Sequence, residues 1–207
     1  MFLSKKVAVL TAILSTAIVF PATAQLPVPL EDQVVEEIAE EIKTVEKRWV
    51  LAKGTRAENY ILERLQERGI TDKYALAVVL GNIKQESRFY SNICEGGARV
   101  NYNHCYSGGY GLIQWTTASR YHGLGRHARA NGMDPSTLEA QVEYLFAEYQ
   151  WQRIEHRMRT PGKPVSYYMN SAYSWLGWGI HGNRTYYANQ YLNALTQVEV
   201  VVEDTSK

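Results

Sequence analysis

Apolar residues recur every three to four positions along most of the chain, which is the spacing of a helix that buries one face. Alternating strand patterns are sparse. Residues 91–111 are rich in Gly, Asn and Tyr, and are predicted to form a short hairpin or loop lobe. We therefore expect a mainly α fold of the α+β class, with this small lobe beside a helical domain. The predicted helices cover residues 32–48, 56–68, 72–87, 118–130, 136–158 and 184–197.

The helix predicted at 72–87 carries a carboxylate on its apolar side. Asp72 is a favoured N-cap residue, and Val79, Ile83 and Glu86 follow at helical spacing. A carboxylate that faces a core loses hydration, which raises its pKa and lets it hold a proton near neutral pH. A general acid in a glycosidase needs this property. The alternative is a solvated glutamate in the last helical turn, and the pattern alone leaves both interpretations open.

The chain begins like a secretory signal peptide. Lys5 and Lys6 precede an apolar run over residues 7–20, and small residues then lead to Ala24. The run is shorter than the roughly 20 apolar residues that span a bilayer, although a retained membrane anchor is the alternative to cleavage. We expect residues 1–24 to be removed, no stable membrane span afterwards, and a secreted or periplasmic protein.

The rest of the chain is long enough for one compact domain with its own core. Residues 25–52 are predicted to form an acidic amphipathic helix or linker, in which acids surround apolar residues such as Ile38 and Ile42. We expect this helix to pack on the domain; a partner-binding arm and a flexible tether are the alternatives. Residues 53–198 form the predicted domain, and residues 199–207 a flexible tail.

The charge balance limits the possible partners. The chain has 22 basic and 21 acidic residues, a formal net charge of +1. It shows no basic field of the kind that binds nucleic acid. No cofactor motif occurs, and the histidines lack ligand spacing with carboxylates, so we expect neither a cofactor nor a metal. We expect a monomer.

Two cysteines, Cys94 and Cys105, follow the signal sequence. In an oxidising compartment they can pair and close a short loop, which stabilises a fold by about 2 to 3 kcal/mol on the chain-entropy model. The competing interpretation is a metal site that includes His104, but zinc sites usually show paired ligand spacing. We predict a disulfide between Cys94 and Cys105.

Two motifs, in a fixed order, distinguish the sequence. Residues 81–90 read GNIKQESRFY and residues 108–115 read GGYGLIQW, while a third run at 141–145 reads QVEYL. These motifs resemble those of the phage tail lysozyme family, in which a phrase like LGNIQAES-x-F leads to GYGLAQW and then to a Q-x-x-(Y/F)-L helix. They are also similar to motifs of soluble lytic transglycosylases and goose-type lysozymes. The resemblance covers roughly residues 56–198.

The resemblance implies a lysozyme-like fold, with a substrate cleft beside the small lobe, and roles for individual residues. Glu86 would be the catalytic acid, and also the base in the second half of the reaction. Ser87 would orient it, and Gln114 would hydrogen-bond the substrate or the acid. Ser174 stands where transglycosylases have the asparagine of an AYN element, which leaves that contact open. The residues expected to bind substrate are Ser87, Tyr110, Gln114, Trp115 and Tyr173.

The same resemblance implies a substrate and a reaction. The substrate would be the glycan strands of peptidoglycan, and the bond the β-1,4 link between N-acetylmuramic acid and N-acetylglucosamine. Hydrolysis normally requires a second carboxyl, for which Glu95, Glu139 and Glu143 are the candidates. Lytic transglycosylases need no second carboxyl, because the sugar's 6-hydroxyl closes on the anomeric carbon. The sequence leaves a lysozyme and a lytic transglycosylase open.

Two other classes of protein are alternatives to a glycosidase. A non-catalytic wall-binding or assembly protein would keep the fold, but loss of the acid would be its mark, and Glu86 is present. An inhibitor or toxin stapled by disulfides is disfavoured by the chain's length and its single pair of cysteines. A wall-cleaving enzyme of this type would act in the cell envelope, or from a virion.

Overall fold

The computed structural model describes residues 43–106 and 108–203. Residues 48–198 form one compact unit that contains every helix described, and residues 43–47 and 199–203 belong to a second unit. The predicted signal peptide, residues 1–24, lies outside the described residues. The prediction of a mainly α fold is confirmed. In chain order the elements are β1 (Lys43–Val50), α1 (Arg56–Glu67), α2 (Lys73–Ser87), a 3₁₀ helix (Tyr102–His104), α3 (Ala118–Ala130), α4 (Leu138–Ala147), α5 (Tyr149–Arg159), α6 (Val165–Leu176), α7 (Arg184–Ala194) and β2 (Thr196–Glu203).

Helix α2 is the most buried helix of the unit, and it starts as the sequence predicts. The Asp72 carboxylate caps it by accepting hydrogen bonds from the N–H groups of Tyr74 and Ala75. Ten of its residues are buried, because α6 and α7 both pack against it. At Gly81 the approach of α7 is so close that a Cβ atom would lie 2.5 Å from the main-chain nitrogen of Ala188. A glycine is therefore required at this helix crossing.

Two of the predicted segments are wrong where the structure describes them. The helix predicted to end at residue 48 is replaced over residues 43–48 by strand β1, and its earlier part lies outside the described residues. The tail predicted to be loose from residue 199 instead continues strand β2 to Glu203. The two strands pair as an antiparallel sheet, and both segments are rich in Val and Thr, which favour strands. Pairing over a long sequence separation is not visible in a local helical pattern.

The predicted helix 136–158 is divided in two. Glu148 leaves helical backbone at φ −71° and ψ 145°, which ends α4 and starts α5. Helix α6 was not predicted, because its run of aromatic and serine residues has weak helix propensity. Burial of Tyr168 and Trp175 stabilises it instead. Among the described residues, no helix is long and apolar enough to cross a membrane.

The segment between α2 and α3 forms a loop lobe rather than a regular hairpin. Its strand-like pairings are single antiparallel bridges: Ile93 with Arg99, Cys94 with Tyr110, and Tyr110 with Trp115. The predicted disulfide is present, with the Cα atoms of Cys94 and Cys105 5.6 Å apart. The lobe thus owes its shape to a covalent link and buried aromatic rings more than to a strand ladder.

Candidate active site

Glu86 is the penultimate residue of α2, and its side chain is 16% exposed. Arg184, the first residue of α7, donates a hydrogen bond from Nη2 to Glu86 Oε1. No hydrogen bond to Oε2 is found among the described residues. One carboxylate oxygen is thus held by a cation, while the other is left for a ligand or a proton.

Hydrogen bonds to the backbone hold the Arg184 side chain in position beside Glu86. Its side chain is 5% exposed, and Nη1 donates to the carbonyl oxygens of Ile180 (3.1 Å) and His181 (2.9 Å). The start of α7 is held in turn by Gln85, whose Oε1 accepts from the N–H of Asn183 at 2.8 Å. Adjacent residues of α2 therefore supply the carboxylate and position the arginine that binds it.

Burial raises the pKa of Glu86 above the ordinary value for a glutamate. The charge of Arg184, its hydrogen bond and the more distant charge of Arg120 all lower this pKa, but burial outweighs them. The raised pKa favours a carboxyl group that is protonated over a wider pH range than a solvated glutamate. This is the property predicted from the apolar face of α2.

An aromatic surface extends from the Arg184–Glu86 pair. The Arg184 guanidinium lies 4.6 Å from the centre of the Trp178 ring, and the Trp178 ring lies 5.2 Å from that of Tyr173 in an edge-to-face contact. Tyr173 is 54% exposed. The structure therefore links Glu86 and Tyr173, two residues singled out in the sequence, through Trp178 and through Arg184, whose role no local pattern indicated.

Ser87 holds the end of α2 against the second motif. Its Oγ atom lies 2.8 Å from the carbonyl oxygen of Leu112 and 3.2 Å from that of Ile83, and it accepts from the N–H of Phe89. Ser87 is buried, and its contact with substrate stays a prediction. The hydroxyl instead fixes the backbone that carries Glu86.

Gln141 of α4 clamps the glycine-rich turn from the other side. Its Oε1 accepts from the N–H of Leu112 at 2.9 Å, and its Nε2 donates to the carbonyl oxygens of Ser91 (2.6 Å) and Pro135 (2.8 Å). Gly111 has φ +74°, and a Cβ atom there would lie 2.3 Å from Gln141 Oε1. The sequence showed this glutamine only as part of the third motif, without a role.

Tyr110 and Trp115, two residues expected to bind substrate, lie in the core of this structure, and their contact with substrate stays a prediction. Tyr110 is fully buried, and its hydroxyl donates to the carbonyl oxygen of Val100 at 3.1 Å. Trp115 is also fully buried. Gln114 is half-buried, and its Nε2 donates to the carbonyl oxygen of Gly111 at 3.1 Å. Gln114 makes no hydrogen bond to Glu86 among the described residues.

Backbone strain is concentrated in the two motifs. Within the described residues, the non-glycine residues with positive φ are Arg88 (53°), Phe89 (66°) and Gln114 (52°). Arg88 and Phe89 directly follow the helix that carries Glu86, and Gln114 lies in the glycine-rich turn. Such conformations cost of order 1 to 3 kcal/mol each and cluster at functional sites. Their positions support a site around Glu86.

A second buried ion pair lies beside this site. The Glu148 carboxylate, at the break between α4 and α5, accepts from Arg120 Nε (3.0 Å) and Nη2 (2.8 Å). The indole N–H groups of Trp115 and Trp175 donate to the same carboxylate at 3.1 and 2.8 Å. Four donors thus satisfy the Glu148 carboxylate, which holds the junction of α4 and α5 against α3, α6 and the glycine-rich turn.

The other carboxylates considered for catalysis are bound elsewhere. Glu139 pairs with Arg56 at 2.8 Å and Glu143 with Arg64 at 2.7 Å, both between α4 and α1. Glu95 Oε2 accepts from the N–H of Gly109 at 2.9 Å inside the loop lobe. None of the three shares a hydrogen-bond partner with Glu86 in the part of the chain described.

The comparisons with known proteins agree with the motifs. The phage tail lysozyme family model matches residues 56–195, which is more than half of the chain. Neither the curated proteins nor the solved structures gave a match. The match begins at the first residue of α1 and ends just after α7, so it includes both Glu86 and Arg184. The chain belongs to the phage tail lysozyme family.

Proposed function

We propose that this protein cleaves the β-1,4 bond between N-acetylmuramic acid and N-acetylglucosamine in peptidoglycan, with Glu86 as the general acid. The observation that carries this proposal is the raised pKa of Glu86, in a partly buried carboxyl group whose Oε2 has no hydrogen-bond partner among the described residues. The family match supports a lysozyme-type glycosidase. The predicted signal sequence supports action in the cell envelope.

Bond cleavage starts with proton transfer. Glu86 Oε2 carries the proton to the glycosidic oxygen while the sugar ring becomes oxocarbenium-like. Arg184 holds Oε1 and fixes the orientation of the carboxyl group. Its positive charge also stabilises the carboxylate that remains after the proton has left. Glu86 then takes a proton back in the second half of the reaction.

The aromatic surface provides a binding site for sugar rings. Tyr173 presents a ring and a hydroxyl to solvent, and its contact with Trp178 fixes the ring's orientation. Sugars have both apolar faces and hydroxyl groups, so a partly exposed aromatic pair suits them. We assign Tyr173 and Trp178 to substrate binding on this ground.

The second half of the reaction has two possible nucleophiles. Water would give a reducing end, and the sugar's own 6-hydroxyl would give an anhydro product. Since no second carboxylate is brought to Glu86 through a shared contact among the described residues, the one-acid route is favoured. The protein would then be a lytic transglycosylase in its chemistry.

One observation favours a non-catalytic alternative. The Arg184–Glu86 pair is largely buried, and an ion pair of this kind also occurs as a purely structural contact. A wall-binding protein with the lysozyme fold could keep the pair without using the proton. Catalysis by Glu86 must therefore be tested directly.

The test is digestion of purified peptidoglycan by the wild-type protein and by Glu86→Gln, with the products analysed by mass spectrometry. We expect anhydromuropeptides from the wild type and a loss of at least ~100-fold from the variant, since a positioned general acid contributes 10²- to 10⁴-fold. Reducing ends would instead identify a muramidase. Release of no products by folded wild-type protein would rule out the enzyme and favour wall binding.

A further inference from the structure

A groove of about 420 Å³ lies between α3 and the junction of α4 with α5. Arg120 and Arg126 line one side of it, and Tyr149 the other. Tyr149 is largely exposed, and the guanidinium of Arg153 lies 5.6 Å from the centre of its ring. The groove is therefore open to solvent and has an aromatic wall.

The groove carries excess positive charge. The Arg120 guanidinium is neutralised by Glu148 at its base. Arg126 is exposed, and no carboxylate among the described residues lies within 4.0 Å of its side-chain nitrogens. Arg153 adds a second cation at the Tyr149 wall. A negatively charged ligand group would thus meet a cation that has no carboxylate partner in the described part of the chain.

Arg120 connects this groove to the candidate active site. It lines the groove, and its charge is among those that lower the pKa of Glu86. The carboxylate that Arg120 binds also accepts from Trp175 of α6, the helix that presents Tyr173. Arg120, which lines the groove, therefore lies within electrostatic range of Glu86.

We infer that the groove at Arg126 binds carboxylates of the peptide stems that a peptidoglycan strand carries. This inference rests on the function proposed above, and it identifies the part of the substrate that binds in the groove. In a peptide-bearing strand of the proposed substrate, the lactyl carboxyl of each N-acetylmuramic acid is joined to its peptide by an amide bond. The negative charges of such a strand are therefore the carboxylates of its peptides. The peptide stem is therefore the complementary group for Arg126, which has no carboxylate partner in residues 43–106 and 108–203.

The test compares soluble glycan strands that carry their peptides with strands in which a simple amide replaces each peptide. The amide is needed because a bare N-acetylmuramic acid would expose its own lactyl carboxylate. kcat/KM is measured on both substrates for the wild-type protein, for Arg126→Gln and for Arg129→Gln. Arg129 lies on the same helix, is also exposed and does not line the groove, so its variant is a matched control for charge. The ratio of interest is kcat/KM on peptide-bearing strands divided by kcat/KM on the other strands. We expect Arg126→Gln to lower this ratio about fivefold, which is the effect of losing one exposed charged contact. The control should leave this ratio unchanged.

Two results would overturn the inference. One is an unchanged ratio in Arg126→Gln. The other is a loss that appears only on strands carrying an anionic phosphate polymer and no peptide, which would assign the groove to phosphate.

A binding measurement separates this inference from the proposed function. The full-length protein is titrated with the disaccharide–peptide fragment of the wall, and with the same disaccharide in which the lactyl carboxyl is a simple amide. Arg126→Gln should weaken binding of the disaccharide–peptide fragment about fivefold. The variant should then bind the two ligands with similar affinity. If the wild type binds the disaccharide–peptide fragment more tightly than Arg126→Gln does, but cleaves no peptidoglycan, only the proposed function is rejected. Equal binding of the fragment by the wild type and Arg126→Gln would reject the inference.

Discussion

Arg184 and Glu86 are 98 residues apart in the chain, and their side chains form a largely buried ion pair. The pair joins the last turn of α2 to the first turn of α7. Burial and the arginine act on Glu86 in opposite directions, because burial raises its pKa while Arg184 lowers it. The balance between them decides the pH range in which Glu86 holds a proton.

Replacing Arg184 with glutamine should therefore move the pH dependence of activity. A general acid is active when protonated, so the rate falls as pH rises through its pKa. Removal of the arginine charge leaves the effect of burial, which raises the pKa of Glu86 further. We expect the basic limb of the kcat/KM profile to move to higher pH in Arg184→Gln.

Arg184→Lys is the matched control, because it keeps the charge and should leave the basic limb near its wild-type position. The carboxyl titration of Glu86 can also be followed by NMR in both variants, which keeps the test open where activity is low. A basic limb that stays in place in Arg184→Gln, or moves to lower pH, would contradict a role for Arg184 in setting this pKa.

Gly81 should be intolerant of even the smallest side chain. A Cβ atom there would lie 2.5 Å from the nitrogen and 2.8 Å from the Cα atom of Ala188, and main-chain atoms cannot move aside alone. Gly81→Ala must displace α7, which carries Arg184. We expect a loss of about 1 to 3 kcal/mol in the free energy of unfolding, together with lower activity.

Gly179→Ala is the control, since the added Cβ would meet no atom within 4 Å. Both variants are compared by urea unfolding and by wall digestion. Equal stability of the two variants would show that α2 and α7 approach less closely than described.

The sequence patterns correctly predicted those parts of the fold that depend on residues close together in the chain. The start of α2 at its Asp72 cap and the burial of its apolar face follow from spacing and capping. The role of Ser87 and the burial of Tyr110 do not, because the partners of both are set by the path of the loop lobe. Arg184 is the first residue of the helix predicted over residues 184–197, and no local pattern identifies it as the partner of Glu86.

The same limit explains the errors at the chain's ends. Strand β1 pairs with β2 about 150 residues away, and a period of three to four residues in the first segment favoured a helix. The break at Glu148 follows from four donors on α3, α6 and the glycine-rich turn. Glutamate is a good helix former, so the sequence favoured an unbroken helix there.

Gln141 should contribute to stability through three hydrogen bonds, one of them buried and two partly buried. Gln141→Leu keeps the approximate size of the side chain but leaves the Leu112 N–H and two carbonyl oxygens without partners. We expect the free energy of unfolding to fall by about 2 to 4 kcal/mol, because buried polar groups that lose a partner retain their desolvation cost. Hydrogen exchange at the Leu112 amide should accelerate as well. Gln152→Leu, at an exposed site, should cost less than about 0.5 kcal/mol.

The disulfide should stabilise the loop lobe by restricting the unfolded chain. Cys94 and Cys105 are 11 residues apart, and closing a loop of that size contributes about 3 kcal/mol on the chain-entropy model. Cys94→Ser/Cys105→Ser should therefore unfold at lower urea concentration than the oxidised protein. The reduced wild-type protein should match the double variant. Equal stability of the oxidised and reduced proteins would contradict the assignment.

Glu139 and Glu143 should be dispensable for cleavage. Each forms an ion pair with an arginine of α1, on a surface that shares no contact with Glu86 among the described residues. Glu139→Gln and Glu143→Gln should keep wild-type activity on peptidoglycan. Each should change stability by less than about 1 kcal/mol, the usual size for exposed pairs. Loss of activity in either variant with unchanged folding would identify a second catalytic carboxylate.

Glu95, in the loop lobe next to Cys94, is the remaining candidate for a second catalytic carboxylate. Its replacement therefore tests the one-acid mechanism. Its Oε2 accepts from the N–H of Gly109, and an amide oxygen can accept the same hydrogen bond. Glu95→Gln therefore removes the charge while retaining the contact. We expect this variant to release the same products as the wild type at a similar rate, measured by mass spectrometry of the digest. If the rate falls to that of Glu86→Gln while the disulfide and the stability are unchanged, Glu95 is a second catalytic carboxylate, and the one-acid mechanism is wrong.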